Sequence, residues 1–403
     1  MTTDILQNET DPEWRRWRLE WSIPIDVTYL NHGSFGPSPW PVQRARKAWS
    51  DRLEAQPMDF FIRQMEDELN AASEKLGAFI GAAASDLVFV DNATVAMNIV
   101  AGGLKLSPGD EVLLTDHEYG AVQRIWKNAC REQSAKAVTC KLPFPITDQQ
   151  EIVEAVFSSV TEKTRLIVVS HVTSPTAVIL PVQKICDRAK ERGVQVCIDG
   201  PHALAMLPVD IKELGCDFYA ASCHKWLSGP FGSGFLYVDR KLQSAMKPVV
   251  TSWGGSLGSR PFRWQDEFNW IGTRDPAPFL AVPAAIEFLE EFGFEKFRQQ
   301  THQLTQYARQ KISSLTGLEP FVPDSPDFYG PMISLPLPPL PAEVQKNLKP
   351  NQCDPLLEEL WDQHKIELAL SHWSGQRLLR VSCHLYNRTA DIDKLVEALS
   401  ETL

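Results

Sequence analysis

Long hydrophobic runs are missing from this chain: no stretch of about 18 apolar residues occurs, so no segment is predicted to span a membrane. Positive charge is also short. Lys and Arg number 40 against 51 Asp and Glu, a net charge of −11. Nucleic acid and anionic membrane both reward clustered cations, so neither is expected as a partner. The eight cysteines include no C-x-x-C pair, and the nine histidines show no H-x-x-x-H or H-E-x-x-H spacing, so no metal site is expected. Cysteines scattered through apolar runs of a long chain read as reduced, buried thiols, which predicts a cytoplasmic setting. G-x-x-x-x-G-K-[ST] and G-x-G-x-x-G are both absent, which removes the sequence support for a nucleotide-binding enzyme. The opening MTTDILQNETDPEWRRWRLEW has no apolar core followed by a small-residue cleavage site, so no signal peptide is expected. There is no internal repeat.

What is present is an ordinary globular composition over 403 residues, 43% hydrophobic and 23% charged. That length predicts one large domain plus a smaller one. DLVFV (86–90), DEVLLTD (110–116), TRLIVVSHV (164–172), VQVCID (194–199), DFYAASC (217–223) and GSGFLYV (232–238) read as strands. ATVAMNIVAGGL and VQKICDRAKERG between them read as helices. Strands that are continuously apolar, separated by helices, indicate a mostly parallel sheet covered on both faces. The expected fold class is therefore α/β, with the large domain over residues 29–265. Residues 266–403 read as a smaller α+β domain, with helices in AVPAAIEFLEEFGFEKFRQQTHQLTQYARQKISSL and a strand in RLLRVSCHLY. Residues 1–28 are expected to form an arm packed on the small domain, because EWRRWRLEW places Trp14, Trp17 and Trp21 on one helical face as a docking stripe. SLPLPPLP (334–341) fits polyproline geometry and reads as a rigid connector.

Ligands of open α/β sheets collect at the carboxyl ends of the strands. Polar clusters follow the strands here: Asp91, Asn92, Ala93 and Thr94, then residues 116–119, 171–174, 199–202 and 222–225. Asp199 ends an apolar run, so its carboxylate should be partly desolvated and its pKa raised unless a cation pairs with it. Lys225 ends another, and a buried lysine either loses its proton or reacts. A neutral amine forms an imine with an aldehyde, and a carboxylate facing a pyridine nitrogen keeps that nitrogen protonated. Pyridoxal 5'-phosphate offers both groups and needs a third site for its phosphate. Ala93 and Thr94 open a helix, where unpaired N–H groups favour an anion, and Ser222 and His224 can donate hydrogen bonds. Taken singly, each residue has an ordinary structural explanation as a turn, a cap or a solvated side chain. Their joint occurrence after successive strands is what points to a cofactor.

CIDGPHALAMLPVDIKELGCDFYAASCHKWLSGPFGSGFLYV, with DNATVAMN, TDHEYGAV, SHVTSPTAVILPV and RVSCHLYN, resembles the class V aminotransferase family of fold-type I pyridoxal-phosphate enzymes. The order and spacing match from YLNHGSFGPSP to the C-terminus, and NHGSFGPSP, DHEYGAV and HVTSPT look most like the isopenicillin N epimerase-like branch. The resemblance implies that Lys225 binds the cofactor covalently, Asp199 pairs with its ring nitrogen, and His202 and Ser174 approach its phenolic oxygen. Tyr119 stands where many relatives stack a histidine on the ring. Ala93, Thr94, Ser222 and His224 take the phosphate. Thr273 reaches the phosphate of a partner subunit's cofactor, implying a homodimer with shared sites. Arg380 binds the substrate carboxylate as a bidentate fork, with Asn31 and His32 on the substrate side. From their own sequence context alone, Arg380 reads first as a strand-flanking surface arginine, and Asn31 and His32 as the start of a turn.

The resemblance leaves the reaction open among changes at Cα of an amino acid. The leading expectation is epimerisation, with Lys225 removing the α-proton and Tyr119 as candidate donor on the other face. A carbon–sulfur lyase and an aminotransferase are the alternatives. Cysteine desulfurase chemistry needs a thiol on a mobile loop ahead of the carboxylate-binding arginine, and no cysteine lies between Cys353 and Arg380. A non-catalytic binder on the same fold would be expected to have lost the lysine, and Lys225 is present.

Overall fold

The computed structural model describes residues 16–254, 261–347 and 353–403. A seven-stranded sheet forms its centre: β2 (Leu87–Val90), β3 (Glu111–Thr115), β4 (Lys136–Cys140), β5 (Thr164–Ser170), β6 (Gln195–Asp199), β7 (Phe218–Ser222) and β8 (Gly234–Val238), in the order β2-β8-β7-β6-β5-β3-β4. Strands β3 to β7 pair in parallel, and β8 runs against both its neighbours. The apolar runs are explained by burial on both faces. Leu113, Ile167, Val169, Val196 and Ile198 face one core. Their immediate neighbours Val112, Leu114, Leu166, Val168 and Cys197 face the other. With a side-chain period of two, a strand between two cores has no polar face to offer.

A three-stranded antiparallel sheet, in the order β11-β12-β9, lies in the C-terminal part: β9 (Met332–Leu337), β11 (Ala369–Trp373) and β12 (Gln376–Ser382). Here one expectation is corrected. The first half of SLPLPPLP is not a connector, since Ser334 to Leu337 belong to β9 and Pro336 is in register with Leu378. Proline lacks a ladder donor, and an edge strand tolerates that loss. The long helical stretch after residue 281 is two helices, Val282–Phe292 and Phe294–Thr316, broken at Gly293, whose φ of 96° lies outside the helical region.

Trp14 lies outside the described residues. Trp17 packs edge-on against Phe288 and Phe292, each at 5.2 Å, and Trp21 against Phe288, His384 and Tyr386. The chain then forms β1 (Thr28–Tyr29), which pairs with β10 (Ile366–Glu367). A bridge from Asn31 to Ser382 follows, and this carries the 31–38 loop toward the strand ends of the large sheet. All eight cysteines are free, and seven are buried. No described helix is long and apolar enough to cross a membrane.

Candidate active site

The carboxyl ends of β5, β6 and β7, with the segment following β3, surround a cavity of about 280 Å³. Asp199 closes β6, Ser222 closes β7, and Lys225 follows three residues on. Ala93, Thr94, Tyr119, Ser174, Asp199, His202, Ser222, His224, Lys225 and Arg380 all line it. The topology has therefore gathered ten expected site residues from six distant segments. Asn31, His32 and Thr273 do not line it. His32 is buried beneath the lysine, with Nε2 2.9 Å from the Lys225 carbonyl and Nδ1 2.8 Å from the Tyr386 hydroxyl. Asn31 turns to Glu367 at 3.5 Å. Both support the chain under the cavity instead of facing it. Thr273 is exposed on the surface of this chain.

Asp199 is buried, and its carboxylate accepts no hydrogen bond from the described residues. Burial raises its pKa and the Lys225 charge opposes that shift. Lys225 is pushed down, first by loss of hydration and then by the Arg380 charge, with Asp199 opposing. A carboxylate without a donor and an amine that sheds its proton easily thus share one small cavity. That is the donor set a pyridine aldehyde requires at its two ends.

A third end suits an anion. Helix Ala93–Gly103 starts at the cavity, and its Asn92 cap accepts from the Val95 N–H at 3.0 Å. The Ala93 N–H donates to Ser222 Oγ at 2.9 Å, while the Thr94 N–H has no acceptor among the described residues. His224 Nδ1 is buried without a partner. Burial holds His224 down at about 4, so it is neutral near pH 7. Close approach of backbone matters here: a Cβ on Gly234 would sit 2.6 Å from the Ala221 carbonyl and 2.9 Å from Asn92 Cα.

Arg380, on β12, is buried in the cavity wall. One guanidinium nitrogen donates to the Ser174 carbonyl at 2.7 Å and hydroxyl at 3.2 Å, and the other to Ser34 Oγ. Its Nε is buried without a partner, and the guanidinium supplies the cavity wall with a cation that suits an incoming carboxylate. The Ser174 hydroxyl accepts from Arg380 and keeps its own O–H to donate. Tyr119, just ahead of helix Gly120–Glu132, is 51% exposed at the mouth.

Four contributors escaped the sequence reading. Ser34 holds Arg380. Glu118 is buried beside Asp199, accepting from Thr115 Oγ1 at 2.7 Å and from Ser170 N and Oγ at 3.1 and 2.6 Å. Ser170 ends β5 in register with Asp199. Trp226 donates to His202. Ser34 and Glu118 lie inside the NHGSFGPSP and TDHEYGAV stretches, so position within a motif was the available signal. Nothing in the sequence marks the partners of Ser170 or Trp226. Among the described residues, no group of three or more His, Cys, Asp or Glu is placed to hold a metal ion.

The sequence model of the family described as Aminotransferase class-V matches residues 55–395. The chain is 36% identical over 401 residues to an isopenicillin N epimerase of Amycolatopsis lactamdurans, covering 96% of this chain and 98% of that one. It is 33% identical to an isopenicillin N epimerase of Streptomyces clavuligerus, with the same two coverages, 96% and 98%. Among solved structures, the cysteine desulfurase CsdA of Escherichia coli superposes with a TM-score of 0.79 at 21% identity, covering 96% of this chain and 98% of that one. That likeness is one of fold.

Proposed function

The chain belongs to the class-V aminotransferase family of pyridoxal-phosphate enzymes, and from that premise we propose that it is an epimerase acting at the α-carbon of an amino acid or amino-acid derivative. The observation that carries the reading is one cavity lined by two groups able to exchange a proton, the Lys225 amine and the Tyr119 hydroxyl. Likeness to two epimerases over nearly the whole chain supports it. When bound, the cofactor supplies the aldehyde that takes the lysine and the electron sink that loosens bonds at Cα.

The protein's residues divide the remaining work. Asp199 keeps a proton on the ring nitrogen, since no protein donor competes for its carboxylate. Thr94 N–H, with Ala93, Ser222 and His224 around it, holds the phosphate. Arg380 takes the substrate carboxylate with its guanidinium, while Ser34 and Ser174 keep that plane fixed. Lys225, with its pKa pulled down to about 7, is substantially a free amine near neutral pH and accepts the α-proton. Tyr119 returns a proton, and its exposure at the mouth lets it exchange with solvent. We assign Thr273 to the phosphate site of a second subunit in a homodimer with shared sites.

The test is incubation of purified protein with amino acids in heavy water. Deuterium incorporation at Cα with inversion is expected. Pyruvate released with a sulfur species, or a keto acid formed one per site without inversion, would replace epimerisation by lysis or transamination. Borohydride treatment followed by peptide mapping should label Lys225, and Lys225→Ala should abolish the label. A label on another lysine defeats the assignment.

A further inference from the structure

Three side chains in the centre of the site are joined in series. The Trp226 indole N–H points to His202 Nδ1 at 3.4 Å. His202 Nε2 lies 3.0 Å from Lys225 Nζ. An indole nitrogen can only donate, so Nδ1 must accept and carries no proton. Burial, and with it the Arg380 charge, disfavours a charge on His202, so the ring is neutral. Its one proton is then on Nε2, facing the lysine. An ammonium has no lone pair to receive it, whereas a free amine does.

We infer that Trp226 fixes the tautomer of His202 and, through it, holds Lys225 as the free amine that can bond to an aldehyde. Trp226 is a positioning residue. It is fully buried and packs 5.4 Å from the His32 ring. The backbone between lysine and tryptophan is pinned from two directions. The Lys225 carbonyl accepts from Ser228 N at 2.7 Å and from His32 Nε2 at 2.9 Å. Because that carbonyl only accepts, His32 also carries its proton on Nε2, and its Nδ1 receives the Tyr386 hydroxyl. The charged groups facing the lysine are Arg380, which opposes an ammonium, and Asp199, which favours one. The tautomer therefore adds a directional bias to two opposing charges.

The inference rests on the reading of Lys225 as the cofactor lysine, and the test separates the two. Trp226→Phe removes the N–H and keeps a buried aromatic ring. In cofactor-stripped full-length protein labelled with 15N-histidine, wild-type His202 should show a bare Nδ1 and a protonated Nε2, its signals assigned by their loss in His202→Gln. In W226F that single tautomer should be lost. His202 Nε2 can then accept from an ammonium, so the pH midpoint for capture of added pyridoxal phosphate, followed by absorbance, should move up. A one-unit rise from near 7 slows capture roughly fivefold at neutral pH. A proton on wild-type His202 Nδ1 overturns the inference whether or not the variant folds. An unchanged tautomer and midpoint in folded W226F overturn it as well. If the tautomer is as stated but pyridoxal phosphate never attaches to Lys225, the relay stands and the cofactor assignment falls.

Discussion

Arg380 is the residue at which identity and geometry are hardest to exchange. Its guanidinium bonds Ser174 and Ser34 at one end and leaves Nε free. Lysine keeps the charge but cannot hold two serines and a carboxylate in one plane. Arg380→Lys is expected to raise KM for the amino-acid substrate about tenfold to a hundredfold, from the roughly 1.5–3 kcal/mol of a charge-assisted hydrogen bond, as steady-state kinetics would show. Little change would place the substrate carboxylate elsewhere. Asp199 behaves differently. A buried carboxylate with no donor and a raised pKa is not a net stabiliser of the fold. Asp199→Asn should therefore unfold at a urea concentration no lower than wild type, while turnover falls on the order of a hundredfold or more as the ring nitrogen loses its charge partner. Near-normal turnover would contradict that role. Both residues were legible in the sequence, but for different reasons. Asp199 stood out as a charge ending an apolar strand, whereas Arg380 reads locally like any strand residue and was identified only through resemblance.

At the scale of elements, function depends on where strands stop and helices begin. Helix Ala93–Gly103 presents its first turn to the cavity because Asn92 caps it and Ser222 ties its first N–H to the end of β7. Asn92→Ala should cost about 1 kcal/mol of stability, and it should also loosen the phosphate end. The expected result is a lower urea midpoint together with faster cofactor loss on dialysis. Loss of stability alone would separate the cap from the anion site. The central strands were readable as unbroken apolar runs because both faces are buried. The direction of β8 was not, since apolar patterning carries no information on polarity. SLPLPPLP misled because proline favours extended chain whether or not a neighbouring strand pairs with it. The neighbour here is β12, some forty residues further along.

Over the whole molecule, proton uptake is dominated by buried imidazoles. His32, His117, His171, His202, His224, His302 and His384 are all held below the ordinary histidine value, in each case chiefly by burial. Below about pH 6.5 the unfolded chain takes up protons that these folded sites refuse, so stability falls as pH falls. Asp116, Glu118 and Asp199 act with the opposite sign: their pKa values are raised, so the folded chain keeps protons the unfolded chain has released. The histidines outnumber them. The urea midpoint should drop between pH 7 and pH 5, as the unfolding free energy falls by up to about 1.4 kcal/mol per pH unit for each excess proton. A midpoint that rises over that range would show these rings to be accessible to water. The sequence by itself determined the two-faced sheet, its helices and the polar residues at the strand ends, because burial and helix entry are local demands written into local composition. Only the tertiary structure decided that Asn31 and His32 support the cavity floor, that Ser174 serves Arg380, and that Trp226 sets the proton on His202. Hydrogen bonds between segments far apart in the chain depend on distance and direction in space, and a linear pattern records neither.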